Sequence, residues 1–243
     1  MKKIFLLALS SLLITSLFAQ DSLKTAPKKK PSIDLSGRPN DHLVFQFGYT
    51  GWAGAPDSIS PKGFSKSING YFMFDFPFKT NPKISIALGP GISTDNIIFK
   101  ETFVGIKENS TVLQIKDQSD TIHFKKTKLT TVYLEAPLEL RYTQNPMNSD
   151  KSFKFAVGIK VGAMVKAYTK NKDLESENDA TLNAYTMKES SKRFFNTTRV
   201  SAHARVGWGH FSAYGSYQMT PLLKEDAGAK IMPFSIGITL SGL

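Results

Sequence analysis

Between residues 42 and 241, apolar side chains recur at every second position with little interruption. The pattern is cleanest in residues 131–143, TVYLEAPLELRYT. Val132, Leu134, Ala136, Leu138, Leu140 and Tyr142 fall on one parity, and Tyr133, Glu135, Pro137, Glu139 and Arg141 on the other. Side chains of a strand point alternately to its two faces, so this is one strand with an apolar and a charged face. A helix would scatter Glu135, Glu139 and Arg141 among the leucines. Seven further segments repeat the design: residues 42–50, 68–78, 83–93, 153–166, 198–208, 211–219 and 232–241.

Eight strands leave seven connections. The second, fourth and sixth (79–82, 144–151 and 209–210) are short. The first, third, fifth and seventh (51–66, 94–128, 169–193 and 221–230) are longer and polar, with β-prone patches at 97–103 and 121–124. Outer-membrane barrels combine tight turns on one side with extended loops on the other. The pattern predicts an all-β, eight-stranded antiparallel up-and-down transmembrane β-barrel, with some strands running on past the membrane.

A soluble eight-stranded barrel would turn the apolar face inward around a small ligand. The residues oppose that orientation. The polar face holds many small residues (Gly89, Gly91, Ala156, Gly158, Gly162, Gly207 and Gly237), as a narrow interior requires. The apolar face is bulky on every strand, with Phe72, Phe74, Phe76 and Phe78 in succession on the second. The polar face also carries both signs of charge: Asp75, Glu135 and Glu139 against Lys83, Arg141, Lys154, Lys160, Lys166, Arg199 and Arg205. Facing lipid near the midplane, each Lys or Arg would cost about 2–4 kcal/mol. The apolar face therefore meets lipid, and the charges pair across a lumen.

Composition agrees with this. A hydrophobic content of 41% and a mean hydropathy of −0.20 leave no room for a helical membrane protein. The N-terminus reads Met1-Lys2-Lys3, an apolar run from Ile4 to Phe18, then Ala19-Gln20. The run is short of the roughly 20 residues of a helical span. Residues 1–19 are accordingly expected to be a cleaved signal peptide, residues 20–41 a flexible basic leader, and residues 42–243 the barrel domain. Cysteine is absent, which excludes disulfides, thiol chemistry and a lipid-modified cysteine. Removal of Lys2 and Lys3 with the signal takes two from the formal charge of +11. For an exported chain that basic balance points to acidic lipid headgroups and lipopolysaccharide rather than nucleic acid.

Candidate chemistry is sparse. His203 lies on the lumen face between Arg199 and Arg205, suited to a carboxylate partner. His123 falls in a loop with no second ligand at useful spacing, and no histidine pair has zinc-site spacing. Residues 89–94, GPGIST, lack the lysine and following helix of a phosphate loop. Glu135 and Glu139 are in principle an acid–base pair, but they point the same way on one strand and cationic neighbours would keep both ionised. No catalytic residue, cofactor, metal ligand or small-molecule substrate is expected. Asp75, Glu135, Glu139, Arg141, Lys154, Lys160, Arg199, His203 and Arg205 are expected to form a structural charge network. Within it, Glu135 is expected near Lys160, Arg141 near Lys154, and Glu139 beside Lys154, Arg199 or Arg205.

Phe18-Ala19-Gln20, residues 133–138 (YLEAPL), 155–162 (FAVGIKVG) and 233–238 (PFSIGI) together resemble the PorT-type outer-membrane β-barrel family of Bacteroidota. The resemblance implies a Gram-negative outer-membrane location, and for some members a link to type IX secretion. The expected role is a non-enzymatic interaction or structural protein presenting surface loops, or a secretion-associated scaffold, with secretion-machinery or surface proteins as partners. A small-solute channel is the alternative. The short turns and N-terminus are expected to be periplasmic and the long loops extracellular. All of this requires Glu135 and Glu139 to face inward; a structure with both facing lipid overturns the orientation.

Overall fold

The computed structural model describes residues 42–242 apart from 57, 58, 60 and 62; the expected signal and leader segments lie outside the described residues. In chain order the strands are β1 (Leu43–Ala53), β2 (Lys66–Phe72), β3 (Phe74–Pro77), β4 (Ile84–Leu88), β5 (Gly91–Phe99), β6 (Thr102–Gly105) and β7 (Gln114–Asp117). They continue with β8 (His123–Thr143), β9 (Phe153–Glu175), β10 (Thr181–Ser190), β11 (Thr198–Trp208), β12 (Phe211–Gln218) and β13 (Met232–Ser241). Eight staves form a ring: β1, β2 with β3, β4 with β5, β8, β9, β11, β12 and β13. Each pairs antiparallel with the next, and β13 returns to β1 from Val44↔Ser241 to Ala53↔Met232. This is an eight-stranded antiparallel up-and-down β-barrel.

Two staves are interrupted for a chemical reason. β4 and β5 meet β8 at Leu88↔Leu138 and Gly91↔Glu135, which leaves Gly89-Pro90 facing Ala136-Pro137. Neither proline has an N–H to give the ladder. The Pro90 carbonyl instead accepts from the Phe72 N–H at 2.9 Å, so the neighbouring stave stays attached. A Cβ on Gly89 would stand 1.8 Å from the Phe72 carbonyl oxygen, so this close approach admits glycine alone.

Burial is the inverse of a soluble protein. Phe45, Phe76, Ile92, Leu138, Trp208 and Ile236 are exposed, while Gln46, Asn69, Ser93, Glu139, Arg205 and Thr239 are buried. Only a hydrocarbon solvent makes that arrangement favourable, and a ring with no free edge satisfies the backbone there. Exposed Trp208, Phe211, Phe153 and Tyr142 gather at the short-turn end. Tyr49 packs against Phe64 and Phe234 at the other, with ring centroids 6.0 and 6.3 Å away. These are the two aromatic belts of a membrane barrel.

β8 and β9 have 21 and 23 residues, about twice the 9–11 that a tilted transmembrane strand needs. The lipid-facing alternation on both stops at a bulge. Val132 pairs with Lys166 and Tyr133 with Met164, so Val165 is an extra residue. The bulge reverses the parity of everything beyond it. Lys166, which uninterrupted alternation assigns to the lumen, is therefore exposed, and Ala167 is buried. Lys83 is also exposed, at the turn before β4, rather than in the lumen.

Beyond the bulge, segments read from sequence as polar loops are ordered. β9 continues and turns back as β10, β5 runs on to Phe99, and β6 pairs with β7 as a separate hairpin. Over the long-loop mouth lies an apolar core built from Ile97, Phe99, Val104, Leu113, Phe194, Phe195, Leu222, Leu223 and Ile231, which meets Tyr133 and Met164. Backbone bonds from Leu113 to Ala227 and from Lys224 to Phe194, 2.8 and 2.9 Å, tie the loops together. The barrel is thus polar inside within the membrane and capped by an apolar core above it.

Leu138→Arg places a cation on the lipid face and is expected to cost about 2–4 kcal/mol. Equilibrium unfolding of the protein in lipid vesicles measures this; a loss below ~1 kcal/mol would mean that this face does not meet the hydrocarbon.

Candidate functional site

Among the described residues, two polar regions concentrate charge on the barrel strands: the lumen, and the sheet that β8, β9 and β10 form above the bulge. The lumen is organised around two carboxylates on β8. Glu139 accepts hydrogen bonds from Arg141 Nε at 2.7 Å, Arg205 Nη2 at 3.1 Å and His203 Nε2 at 3.0 Å. Arg141 also lies 3.8 Å from Asp75, which accepts from Ser85 Oγ at 2.6 Å.

Nearer the long-loop end, Glu135 accepts from the Tyr71 hydroxyl at 2.9 Å and lies 3.4 Å from Arg199. Arg199 reaches Asp95 at 2.8 Å and covers the Tyr133 ring at 4.7 Å. Lys160 donates to Gln46 Oε1 and the Tyr71 hydroxyl, each at 3.0 Å. Lys154 is buried at the short-turn end, opposite Thr143 and Gly207.

All nine residues expected in the network therefore have buried side chains inside the barrel, but several partners differ from expectation. Glu135 is linked to Lys160 through Tyr71, and its ion-pair partner is Arg199. Glu139 meets Arg205, as one of the expected options, and also its own-strand neighbour Arg141. His203 meets a carboxylate. Asp95 is an addition: it stands at the start of a stretch read as a loop, although its place two residues after Ser93 continues the lumen-facing parity.

Asp75, Asp95, Glu135 and Glu139 face Arg141, Lys154, Lys160, Arg199 and Arg205, so the charges nearly balance. A pairing this dense, in an interior just wide enough for side chains, makes a packed polar core. It holds Glu135 and Glu139 as acceptors for fixed cations.

Two of the other histidines bond backbone carbonyls locally. His42 Nδ1 bonds the Met73 carbonyl at 2.9 Å, and His210 Nδ1 the Ser241 carbonyl at 2.9 Å. His123 opens β8 rather than lying in a loop, and it is buried.

The second polar region is outward-facing. Above the bulge the alternation continues on β8 and β9 with lysine in place of leucine. Lys128 pairs with Lys170, and Lys126 with Lys172. Lys170 pairs in turn with Lys188 of β10, so three strands align lysines in one row. Lys188 and Lys166 flank the Tyr168 ring at 4.4 and 5.8 Å. Like charges directly opposite one another destabilise a sheet. A row of them just above the lipid band has the electrostatics of an anion-binding surface. Its signal in the sequence is the spacing Lys126-x-Lys128 and Lys166-x-Tyr168-x-Lys170-x-Lys172, lysines at the strand period.

The outer membrane protein beta-barrel domain family matches residues 35–224, and the chain belongs to that family. It is an outer-membrane β-barrel protein. No curated protein matches the chain. Among solved structures it is similar to Ail, the attachment invasion locus protein of Yersinia pestis. That match has 13% identity, covers 82% of this chain and 95% of that one, and has a TM-score of 0.32.

Glu139→Ala would leave Arg141, Arg205 and His203 around a missing anion. Removing one partner from a buried ion pair costs about 3–5 kcal/mol. Urea unfolding of the refolded protein is expected to show a loss in that range; a loss like that of a surface pair, below ~1 kcal/mol, would mean that the knot is hydrated.

Proposed function

We propose that the protein is a non-enzymatic interaction or structural protein of the outer membrane that works through its long-loop side. The observation that carries this reading is the apolar core seated over the barrel mouth, above a lumen filled by paired charges. A solute path would have to break Glu139 from two arginines and displace Phe99, Phe194 and Phe195, so transport through the barrel is the less supported reading. The same end of the molecule carries ordered structure well beyond what membrane crossing needs. β10 pairs with β9 alone among the described strands and exposes Leu182 and Tyr185. An edge of that kind accepts an extended segment of a partner as an added strand.

The lysine row supports an orientation with the long loops extracellular and the short turns periplasmic. Outer-leaflet lipopolysaccharide carries phosphates at the height where Lys128, Lys170 and Lys188 lie above the lipid band, and their attraction would offset the repulsion within the row. A secretion-associated scaffold role is the particular form that resemblance to PorT-type barrels of Bacteroidota adds. The residues carrying that resemblance, 133–138, 155–162 and 233–238, lie mostly within the membrane band, so a partner in secretion would be met by the parts outside it.

Planar-bilayer recordings of the refolded protein are expected to show no steady single-channel current; reproducible unitary steps would favour transport instead. A photo-crosslinker at position 185 is expected to capture a discrete envelope protein in cells, whereas one at the lipid-facing position 138 is not. Equal labelling at both positions would remove β10 as the contact. A deletion strain that exports its surface proteins normally would remove the secretion role.

A further inference from the structure

The tip of the β8–β9–β10 sheet brings His123 to two carboxylates some fifty residues further along the chain, Glu175 and Asp179. His123 is the first residue of β8, Glu175 the last of β9, and the two are direct cross-strand partners. Asp179 lies in the turn between β9 and β10, which is closed by bonds from Ser176 N–H to the Ala180 carbonyl and from Asp179 N–H to the Ser176 carbonyl, 2.9 and 3.0 Å. His123 Nε2 stands 3.4 Å from Asp179 Oδ1 and 3.9 Å from Glu175 Oε2. One ligand atom from each residue lies within 4.8 Å of the other two.

The hydrogen bonding of His123 decides what such a cluster is for. Its side chain is 1% exposed. Nδ1 lies 2.8 Å from the Thr121 carbonyl, which can only accept, so Nδ1 carries the ring proton. Nε2 is the ring atom turned toward the two carboxylates, and it has no hydrogen-bond partner. In the neutral ring Nε2 is a lone-pair donor, so it and the two carboxylates make a set of ligand atoms for one cation. A backbone carbonyl on the far ring nitrogen is also the usual way a metal-binding imidazole is oriented. Glu175 is prepared in the same manner. Its Oε1 accepts from Lys125 Nζ at 2.9 Å, and its Oε2 lies 3.9 Å from His123 Nε2.

We propose that His123, Glu175 and Asp179 form a binding site for a divalent transition cation of the zinc class. Two ligands each about 2.0–2.1 Å from zinc at a tetrahedral angle are about 3.3 Å apart. The His123–Asp179 separation fits this, and a small movement of Glu175 completes the set. The imidazole selects against calcium and magnesium, which take oxygen ligands. Asp179 has a side chain 76% exposed, so the fourth position opens to solvent for water or a partner's ligand. A bound ion would fasten the start of β8 to the β9–β10 turn. The site is independent of the surface-interaction reading, because nothing in it depends on what the sheet contacts.

The test is titration calorimetry of the full-length protein, refolded in detergent with a histidine-free tag, against zinc chloride. One zinc ion per chain is expected. Asp179→Asn, in an exposed turn where the barrel's folding is not at stake, and His123→Gln should each weaken binding by more than about tenfold. His210→Asn serves as control: His210 faces Asp150 at 3.4 Å, at the opposite end of the barrel, and this change should leave the titration unaltered. Absence of zinc binding by the unsubstituted protein overturns the proposal. So does unchanged affinity in both Asp179→Asn and His123→Gln, or calcium binding tighter than zinc.

Discussion

A chain that crosses hydrocarbon must pair every backbone N–H and C=O within itself, and the pairing of β13 with β1 meets that demand. Most other features follow from this closure. Eight staves bent into one ring enclose a space of side-chain width. Neighbouring backbones approach so closely that a Cβ on Gly158 would stand 2.0 Å from the Leu138 carbonyl oxygen. Because the outer face must be apolar and alternation is strict, the inner face collects the polar residues. In so narrow a space charge is tolerated only when paired, and Glu139, held by two arginines and a histidine, is the tightest example.

The rule reverses where the membrane ends. At Val165 one extra residue changes the parity of β9, and outward positions pass from Val161 and Ala163 to Lys166 and Lys170. Inward positions pass from Lys160 to Ala167. Above that level water surrounds the strands, so the interior becomes apolar and Phe99, Phe194 and Phe195 assemble as a soluble protein's core would. One bulge thus marks the boundary between two solvents. The aromatic cluster of Tyr49, Phe64 and Phe234 on the other side of the ring belongs to the same long-loop end.

That division gathers three chemical features of the described residues at one end. Inside the membrane the lumen carboxylates have fixed cationic partners. Outside it, the lysine row, the edge of β10 and the His123 cluster all lie on the same three-stranded sheet. The first suits phosphate, the second an extended peptide and the third a metal ion. These are three features of one surface held at a set height above the lipid.

Much of the architecture was legible in residues 131–143 and their seven counterparts, because strand alternation is a local property read at i and i+2. It placed the staves, separated short turns from long loops, and set which face meets lipid. It also assigned all nine lumen residues to the inner face. What it could not supply was who meets whom. Arg205 reaches Glu139 across 66 residues of sequence and Arg199 reaches Asp95 across 104, pairings that depend on register and ring closure. Alternation also failed at Val165, where a single inserted residue leaves no compositional trace yet turns Lys166 outward. It failed again at 169–193, because a strand that meets water on both faces, like β10, has no two-sided pattern to read. Glu175 and Asp179 were visible in the acidic run of residues 173–179, and His123 as a lone loop histidine. Only the tertiary structure, by pairing the start of β8 with the end of β9, put a buried imidazole nitrogen in front of two carboxylates.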